Sequence, residues 1–368
     1  MKKLLSLALA CTLTLGLASC GGTGTSTSSN APASSSAVES PAAQFDAASY
    51  LSGDYPKLPE DGPAYSLSIG HAMQESTESH KMLLALKDAV EKYSDGKITI
   101  TIYPNSQLGS LAENMEAMRI GDLEMAALND SIVAGIVPEY NLVGLPFLWT
   151  SLDAAHEAMD GDFGQALDKK LEEQAGITTL AWGDVGFRNL TNSKHSVTSP
   201  DDLKGLKIRV QDMKSQTDMM KALGGIPVAM SYGDVYTSLQ TGIIDGTENN
   251  ETALTTGKHG EICKVYSTDQ HAMIPDVMVM SAKVWKEISP EDQQIILEAA
   301  RESTESHKIA WDAAIDQAIE EAKNTMGVEF VNDVDKEAFR EATSGMINDY
   351  CTQYPGVKKL LDIIDSVE

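Results

Sequence analysis

Strand-like and helix-like patterns alternate along most of this 368-residue chain. Ile98, Ile100 and Ile102 alternate with polar residues, which is typical of a half-buried strand. Residues 65–70 alternate in the same way, and a helix pattern begins at Ser76. Residues 111–120 also follow a helix pattern, and residues 206–240 repeat the order of strand, helix, strand and helix. Alternation of this kind predicts an α/β fold with largely parallel sheets.

The size of the chain predicts two lobes. The stretch from Tyr50 to the C-terminus is longer than one hydrophobic core usually serves. Residues 290–325 read as one long helix, with Ile295, Ile296 and Ala299 among its apolar positions. A helix of that length is unusual in a globular body and predicts an element that spans both lobes.

The N-terminus reads as a secretion signal. Lys2 and Lys3 precede a short apolar run at 4–18, which is too short for a membrane span with its flanks. The run ends in Leu-Ala-Ser before Cys20, a pattern that resembles the lipobox of bacterial lipoproteins. We expect a signal peptide at 1–19 and a lipid on Cys20. The lipid would anchor the protein to the outer face of the cytoplasmic membrane; the other expected location is the periplasm. The alternative is an ordinary signal peptide with an incidental cysteine.

A segment rich in Ser, Thr, Ala and Gly follows the cysteine. It has almost no large apolar side chains, so it predicts a disordered tether, placed at 20–63. The formal net charge is −26, and loss of Lys2 and Lys3 with the signal makes the chain more acidic still. That balance argues against nucleic acid as a partner.

Known catalytic and metal-binding patterns are missing from the sequence. Cys263 and Cys351 are the cysteines outside the signal and the lipid position, and their spacing leaves open whether they pair. No closely spaced Cys or His pair suggests a metal ligand set. Nucleophile-elbow, phosphate-loop and dinucleotide patterns are also missing. We therefore expect no cofactor, no metal and no enzymatic activity.

Two arginines lie in or beside apolar strand patterns. Arg209 interrupts the run Leu206-Lys207-Ile208-Arg209-Val210, and Arg188 follows Phe187. A buried guanidinium needs an anionic partner, because an unpaired buried charge is costly. The partner is either an Asp or Glu of the chain or the carboxylate of a ligand, which the planar fork of arginine suits.

Polar clusters follow strand patterns in both halves of the chain. Asn129-Asp130 ends the pattern at 123–128, and Glu248-Asn249-Asn250 ends a similar one. Ligands of open parallel sheets bind beyond the carboxyl ends of the strands. If two lobes face each other, both clusters reach one cleft.

Several spaced sequence blocks resemble those of the solute-binding proteins of tripartite ATP-independent periplasmic (TRAP) transporters, the DctP family. The blocks follow one another in the same order as in that family. The likeness runs from about Tyr65 to the long helix. The blocks are YPNSQLG at 103–109, FRNLTNSK at 187–194, PDDLKGLKIRV at 200–210, LGGIPVAM at 223–230, DVYTSLQTG at 234–242 and DGTEN at 245–249.

This resemblance implies roles for individual residues. Arg209 falls at the family's arginine that pairs with the ligand carboxylate, and Arg188 at a second, supporting arginine. Asn249 matches a polar residue near the same carboxylate, and Tyr232 an aromatic residue that lines the pocket. The further ligand-binding residues implied on the first lobe are Asn129 and Ser76.

One departure concerns the turn after the second polar cluster. The family usually reads Gln-Glu-Asn-Pro where this chain has Thr247-Glu248-Asn249-Asn250. The geometry of that turn is therefore not implied by the resemblance.

The resemblance also implies the architecture. The fold is the two-lobed periplasmic-binding-protein-like fold of type II, with crossing strands at a hinge and one long spanning helix. The implied lobes are 64–185 plus 275–313 and 186–274 plus 314–368.

The implied function is capture of a small organic anion with a carboxylate by hinge closure. A monomeric chain would then deliver the anion to TRAP membrane permease subunits. The alternatives are the binding component of an ATP-driven (ABC) importer, a ligand-sensing receptor module and a secreted enzyme. An arginine pair suits monocarboxylates, dicarboxylates, keto acids, sugar acids and sialic-type acids alike.

Overall fold

The computed structural model describes residues 62–183 and 186–364. The predicted signal peptide, Cys20 and the tether up to residue 61 lie outside the described residues. Within the described segments, no helix combines the length and the apolar character that crossing a bilayer requires.

The first sheet has five strands in the order β2-β1-β3-β10-β4. Parallel pairing joins β1 to both β2 and β3, and β10 runs antiparallel between β3 and β4. The strands of this sheet are β1 Tyr65–Gly70, β2 Ile98–Tyr103, β3 Met125–Asn129, β4 Ile177–Gly183 and β10 Asp276–Ser281.

The second sheet has six strands in the order β11-β9-β5-β8-β6-β7. Its β11/β9, β8/β6 and β6/β7 pairs are parallel, and β5 runs antiparallel between β9 and β8. The strands are β5 Phe187–Asn192, β6 Lys207–Val210, β7 Ile226–Ala229, β8 Gly246–Asn249, β9 Val265–Met273 and β11 Glu329–Val331.

Each sheet is thus parallel except for one strand. The two exceptions, β5 and β10, are the strands that the chain enters after a short, direct crossing from one sheet to the other, whereas the long crossing through α10 leads into the parallel strand β11. One crossing lies between Gly183 and Phe187, and the return crossing is the dipeptide Ile274-Pro275. The prediction of largely parallel sheets is confirmed, and the two reversed strands are the consequence of the crossings.

Helices cover the faces of both sheets. Short 3₁₀ turns at Pro138–Leu142, Pro200–Leu203, Tyr232–Asp234 and His259–Glu261 add to them. The α-helices are α1 Glu78–Tyr93, α2 Leu111–Ile120, α3 Asp130–Ala134, α4 Leu152–Asp160, α5 Asp162–Ala175, α6 Lys214–Ala222, α7 Val235–Gln240, α8 Thr252–Thr255, α9 Ala282–Trp285, α10 Pro290–Asn324, α11 Lys336–Thr343, α12 Met346–Gln353 and α13 Pro355–Ile364.

Local capping signals set the helix ends near the cavity described below. Helix α2 has the predicted bounds, because Ser110 and Glu113 form a capping box and Gly121 ends the helix in the left-handed region at φ 86°. Helix α1 begins two residues after Ser76, where the pattern predicted it to start. The cap is Thr77, whose hydroxyl accepts a hydrogen bond from the backbone N–H of His80.

Two large clusters of buried apolar side chains pack the helices against the sheets. One packs α1 and the N-terminal part of α10 against one face of the first sheet, with Leu86 and Ile295 fully buried. The other is continuous through both sheets, and includes α5 as well as the C-terminal helices. Its residues Val277 of β10 and Ile208 of β6 show that a single core joins the two lobes.

Helix α10 belongs to both lobes. Its Ile295 and Ile296 pack in the cluster of the first sheet, whereas Ala322 packs with Tyr266 and Val328 beside the second sheet. The predicted long spanning helix is therefore confirmed.

Candidate functional site

A cavity of about 530 Å³ lies between elements of the two sheets. Its wall includes the ends of β1, β3 and β10 on one side, β5, β6 and β8 on the other, and one face of α10. The structure brings all the binding residues expected from the sequence to this wall, namely Ser76, Asn129, Arg188, Arg209, Tyr232 and Asn249.

Arg209 enters the cavity from β6. The strand lies between β7 and β8, where Arg209 is in register with Val228 and Thr247. Its side chain is nearly inaccessible to solvent, and the residue is 3% exposed. Nε and Nη2 both donate to the carbonyl oxygen of Met230, at 3.1 and 2.9 Å. This fixes one edge of the guanidinium and leaves the Nη1–Nη2 end directed away from that carbonyl.

Arg209 forms no salt bridge with any residue in the described ranges 62–183 and 186–364. Burial and the nearby positive charge of Arg188 lower the pKa of Arg209 to about 10, although Glu248 acts in the opposite direction. The group is still cationic at neutral pH. It is thus a buried positive charge held by a neutral carbonyl.

Arg188 has a different environment. From β5 it reaches Glu248 on the neighbouring β8, and its Nε and Nη2 bind the two carboxylate oxygens, the Nη2–Oε1 distance being 3.0 Å. Nη2 also donates to the carbonyl oxygen of Glu248 at 2.8 Å. Of the two partners considered from the sequence, Arg188 therefore has the internal carboxylate and Arg209 does not.

Glu248 also contacts a buried histidine, which in turn contacts a second carboxylate. His271 on β9 places Nε2 3.4 Å from the Glu248 carboxylate and Nδ1 2.7 Å from the carboxylate of Asp269. Burial alone would lower the pKa of His271, but the two carboxylates raise it to about 9. Burial likewise opposes ionisation of Glu248, yet Arg188 and His271 lower its pKa to about 2. The ionised side chains of Glu248 and His271 therefore hold Arg188 in place.

Asn249 is oriented by the same network. Its Oδ1 accepts from Arg188 Nη1 at 3.2 Å and from the backbone N–H of Asn250 at 2.9 Å. With the carbonyl oxygen occupied, the amide NH₂ is the group left for the cavity.

Tyr232 also lines the cavity, from the 3₁₀ turn after β7. Its hydroxyl lies so close to the turn that follows α8 that a Cβ on Gly257 would lie 2.5 Å from it. Only glycine fits at that position. Burial raises the pKa of Tyr232, so the phenol is neutral and available as a hydrogen-bond donor.

Asn129 and Ser76 line the cavity from the first lobe. Asn129 caps α3, and its Oδ1 accepts from the Ser131 hydroxyl and from the backbone N–H of Ile132. Ser76 lies in the exposed loop before α1. Both residues line the same cavity as the two arginines.

The turn after β8 departs from the family pattern but is well ordered by hydrogen bonds. Asn250, at the position of the usual proline, accepts from the N–H and the hydroxyl of Thr252, at 3.1 and 2.6 Å. Its own N–H binds Asn249. A proline there could make neither the donor contact nor this side-chain turn.

Several residues of the wall were not expected from the sequence. Asp276, at the start of β10, lines the cavity and accepts a hydrogen bond from Ser79 Oγ at 3.2 Å. Trp311 lines it from α10, with its Nε1 buried and without a hydrogen-bond partner. Neither residue had a local sequence signal, whereas Glu248, expected near the cleft from its polar cluster, is the counter-ion of Arg188.

His71 and His80 form a neutral pair at the edge of the cavity. The N–H of Met73 donates to His71 Nδ1, so His71 carries its proton on Nε2 and donates it to His80 Nδ1, 3.0 Å away. Burial and the neighbouring His80 lower the pKa of His71 to about 4. The pair contributes no charge at neutral pH.

Cys263 and Cys351 are free thiols, and Cys263 is buried. In residues 62–183 and 186–364, no group of three or more His, Cys, Asp or Glu side chains is arranged to hold a metal ion. The hydrogen-bonding and charged side chains on the cavity wall suit an organic anion as the ligand.

Relatives of known name share much of this chain. A 2,3-diketo-L-gulonate-binding periplasmic protein of Escherichia coli, YiaO, is 30% identical over 306 residues, which cover 83% of this chain and 93% of the relative. The C4-dicarboxylate-binding periplasmic protein DctP of Rhodobacter capsulatus is 31% identical over 65% of this chain and 72% of its own length.

Solved structures share the fold. A TRAP periplasmic solute-binding protein from Anaerococcus prevotii, crystallised with D-glucuronate, superposes with a TM-score of 0.79 at 32% identity and covers 82% of this chain and 97% of its own. One from a Sulfitobacter species, with β-D-galacturonate, gives 0.78 at 30% identity, with 81% and 99% covered. The two-lobed α/β fold expected from the sequence is confirmed. Since the pattern of the family also matches residues 69–353, this chain belongs to the bacterial extracellular solute-binding proteins of family 7, the DctP family.

Proposed function

We propose that this protein captures a small organic anion by its carboxylate and delivers it to the membrane subunits of a TRAP transporter. The observation that carries the proposal is Arg209, a buried guanidinium on the cavity wall with no carboxylate partner among the described residues. A buried unpaired charge is costly, so a ligand that supplies the counter-charge gains that energy on binding.

The geometry of Arg209 favours end-on recognition of a carboxylate. Nε and one hydrogen of Nη2 are directed to Met230. The hydrogens at the Nη1–Nη2 end remain, and two parallel N–H bonds from that end match the two oxygens of a carboxylate. The Asn249 amide and the Tyr232 hydroxyl supply further donors, and Arg188 supports this side through its contact with Asn249.

The names of relatives support an acidic ligand. YiaO is named for 2,3-diketo-L-gulonate and the Rhodobacter protein for C4-dicarboxylates. The two structures described above hold D-glucuronate and β-D-galacturonate. All these ligands carry a carboxylate. None of these relatives supports the alternatives of an ATP-driven importer component, a sensor module or an enzyme.

Hinge closure is the proposed mode of capture. Asn129 and Ser76 on the first lobe and the arginines on the second line the same cavity. An anion held by Arg209 reaches the first lobe only when the lobes approach, so ligand contacts favour the closed state. Closure also removes water, which strengthens the carboxylate pairing. The proposed hinges are the points at which the chain crosses from one sheet to the other.

The remaining parts of the proposal concern the setting of the protein. Lobes at 64–185 plus 275–313 and 186–274 plus 314–368 would move about the hinges. A signal peptide at 1–19 and a lipidated Cys20 would anchor a monomeric chain outside the cytoplasmic membrane by the tether at 20–63. Mass spectrometry of the membrane-extracted protein tests the anchor, because a lipidated N-terminal Cys20 has a distinctive mass.

The test of ligand capture is a stability measurement. The purified protein, refolded to strip carried-over ligand, is unfolded thermally against a panel of organic acids. A ligand at a hundred times its dissociation constant adds about 2.7 kcal/mol of stability. We expect Arg209→Ala to abolish this gain and Arg119→Ala, which changes an exposed arginine on α2, to preserve it. Equal stabilisation of the Arg209 variant, or no stabilisation of the wild type by any acid, would contradict the proposal.

A further inference from the structure

The charges on the cavity wall are unequally matched. Among the described residues that line it, the cationic side chains are Arg188, Arg209 and Lys81. The carboxylates on the same wall are Glu78, Asp212, Asp276 and Glu321.

Two of the three cations are already neutralised. Arg188 is paired with Glu248, and Lys81 Nζ lies 2.5 Å from Glu78 Oε1. The His71–His80 pair adds no positive charge at neutral pH. Arg209 alone remains for an anion, so the wall compensates one carboxylate and not two.

The carboxylate of Asp276 lies at the other side of the cavity. As the first residue of β10 it is in register with Asn129 of β3 and Gly183 of β4. Gly183 has no side chain, and a Cβ there would lie 3.7 Å from the Cβ of Asp276. Ser79 donates to Asp276 Oδ2, which holds the carboxylate beside α1.

A second acidic residue lies behind the first. Asp130 is fully buried, and both of its carboxylate oxygens lack a hydrogen-bond partner. Burial and the smaller repulsion of Asp276 raise the pKa of Asp130 well above its ordinary range, although Arg188 acts in the opposite direction.

Small hydroxyl residues line the cavity together with Asp276, and one of them, Ser79, contacts it directly. They come from the loop before α1, from α1 itself, from the turn after β2, from the N-cap of α2 and from α3. Hydroxyls and a carboxylate acceptor together are the groups that bind the hydroxyls of a sugar, since each sugar OH both donates and accepts. The residues are Ser76, Ser79, Ser106, Ser110 and Ser131.

We propose that Asp276 is a specificity-determining residue, which accepts hydrogen bonds from ligand hydroxyls and repels a second carboxylate. The ligand class is then the polyhydroxylated monocarboxylates, of the size of a six-carbon sugar acid, and not the dicarboxylates. This inference rests on the proposed capture of a carboxylate by Arg209. It adds a repulsive element to an attractive one, as selective sites commonly do.

A matched pair of probes tests the proposal. D-gluconate and D-glucarate share a six-carbon polyol chain and differ by the second carboxylate. We measure their dissociation constants for the full-length protein by calorimetry, and expect glucarate to bind at least about tenfold more weakly, because like charges oppose each other across the site. This comparison uses the wild-type protein and needs no variant.

Asp276→Asn keeps the shape and removes the charge. We expect the substitution to weaken the binding of gluconate and to strengthen the binding of glucarate. The ratio of the glucarate dissociation constant to the gluconate dissociation constant should then fall by about tenfold. The matched control is Asp153→Asn, which removes an exposed carboxylate in the first turn of α4 and should leave the ratio unchanged.

The outcomes separate the two proposals. Gluconate binding that depends on Arg209, together with discrimination that Asp276→Asn reduces, supports both. Equal wild-type affinity for the two acids, or a ratio that Asp276→Asn leaves intact, overturns the role of Asp276 and leaves capture by Arg209 standing. If no carboxylic acid binds the wild type, or if binding survives Arg209→Ala, both proposals fail.

Discussion

Arg209 donates two hydrogen bonds to one acceptor, the carbonyl oxygen of Met230, at 3.1 and 2.9 Å. A carbonyl dipole holds the guanidinium in place but does not cancel its charge. Among the described residues, no carboxylate forms an ion pair with this buried cation, which lies where β6 and β7 meet the cavity.

The first prediction concerns the cost of that cation. Arg209→Met replaces it with an apolar side chain of similar length. We expect the unfolding free energy of the ligand-free protein to fall by less than about 1 kcal/mol, because replacing a buried charge by a hydrophobic residue is often neutral or stabilising. Stabilisation by acids should disappear in the same variant. Urea unfolding measures both, and a large loss of stability without ligand would show that Arg209 is a structural residue.

The second prediction contrasts Glu248 with Arg209. Glu248→Gln leaves Arg188 and His271 buried without their common counter-charge. We expect a loss of about 3–5 kcal/mol in unfolding free energy, the usual effect of breaking a buried ion pair. Glu116→Gln, which breaks an exposed pair with Arg119, should cost less than about 1 kcal/mol. Equal effects of the two substitutions would contradict the buried network.

The third prediction is a decline of stability at alkaline pH. The pKa of His271 is raised from 6.5 to about 9 by its two carboxylate partners. The stability that this group contributes is complete below pH 6.5 and is lost as the pH rises through about 9. We expect urea midpoints to fall between these values. His271→Gln should flatten that decline, whereas His195→Gln on the surface should not; an unchanged profile in His271→Gln would refute the assignment.

The fourth prediction uses Trp311 as a reporter. It lines the cavity, and its indole Nε1 is buried without a partner, so a bound ligand changes its surroundings. We expect ligand-dependent fluorescence that Trp311→Phe largely removes. Trp149→Phe should retain it, because Trp149 donates to the Val143 carbonyl within the core. A signal that survives Trp311→Phe would place the ligand elsewhere.

Elements with a clear local period were predicted closely. Strand β1 and helix α2 have the bounds that their patterns indicated, and α10 ends one residue before the expected position. These features depend on side chains three or four positions apart, or on alternation, so neighbouring sequence is sufficient. The start of α1 was misplaced because Ser76 and Thr77 are both good caps, and only the hydrogen bond to His80 distinguishes them.

Residue chemistry alone indicated the arginines and the polar clusters, whereas Tyr232 and Ser76 were expected from the family resemblance. An arginine within an apolar strand stands out, and both arginines line the cavity. Asp276 does not stand out, because it is one of 54 acidic residues. Its pairing with Asn129 joins positions far apart in the chain, and no local pattern encodes that register. For the same reason the sequence left open which arginine Glu248 would neutralise.

Helix α10 limits how the lobes can move. A straight helix of 35 residues is roughly 52 Å long. One end packs against α1 and β4 and the other against α8, so the helix acts as a strut of fixed length between the lobes. The lobes can pivot about such a strut but cannot draw apart along it. A membrane partner would then sense occupancy as a change of angle between two rigid surfaces.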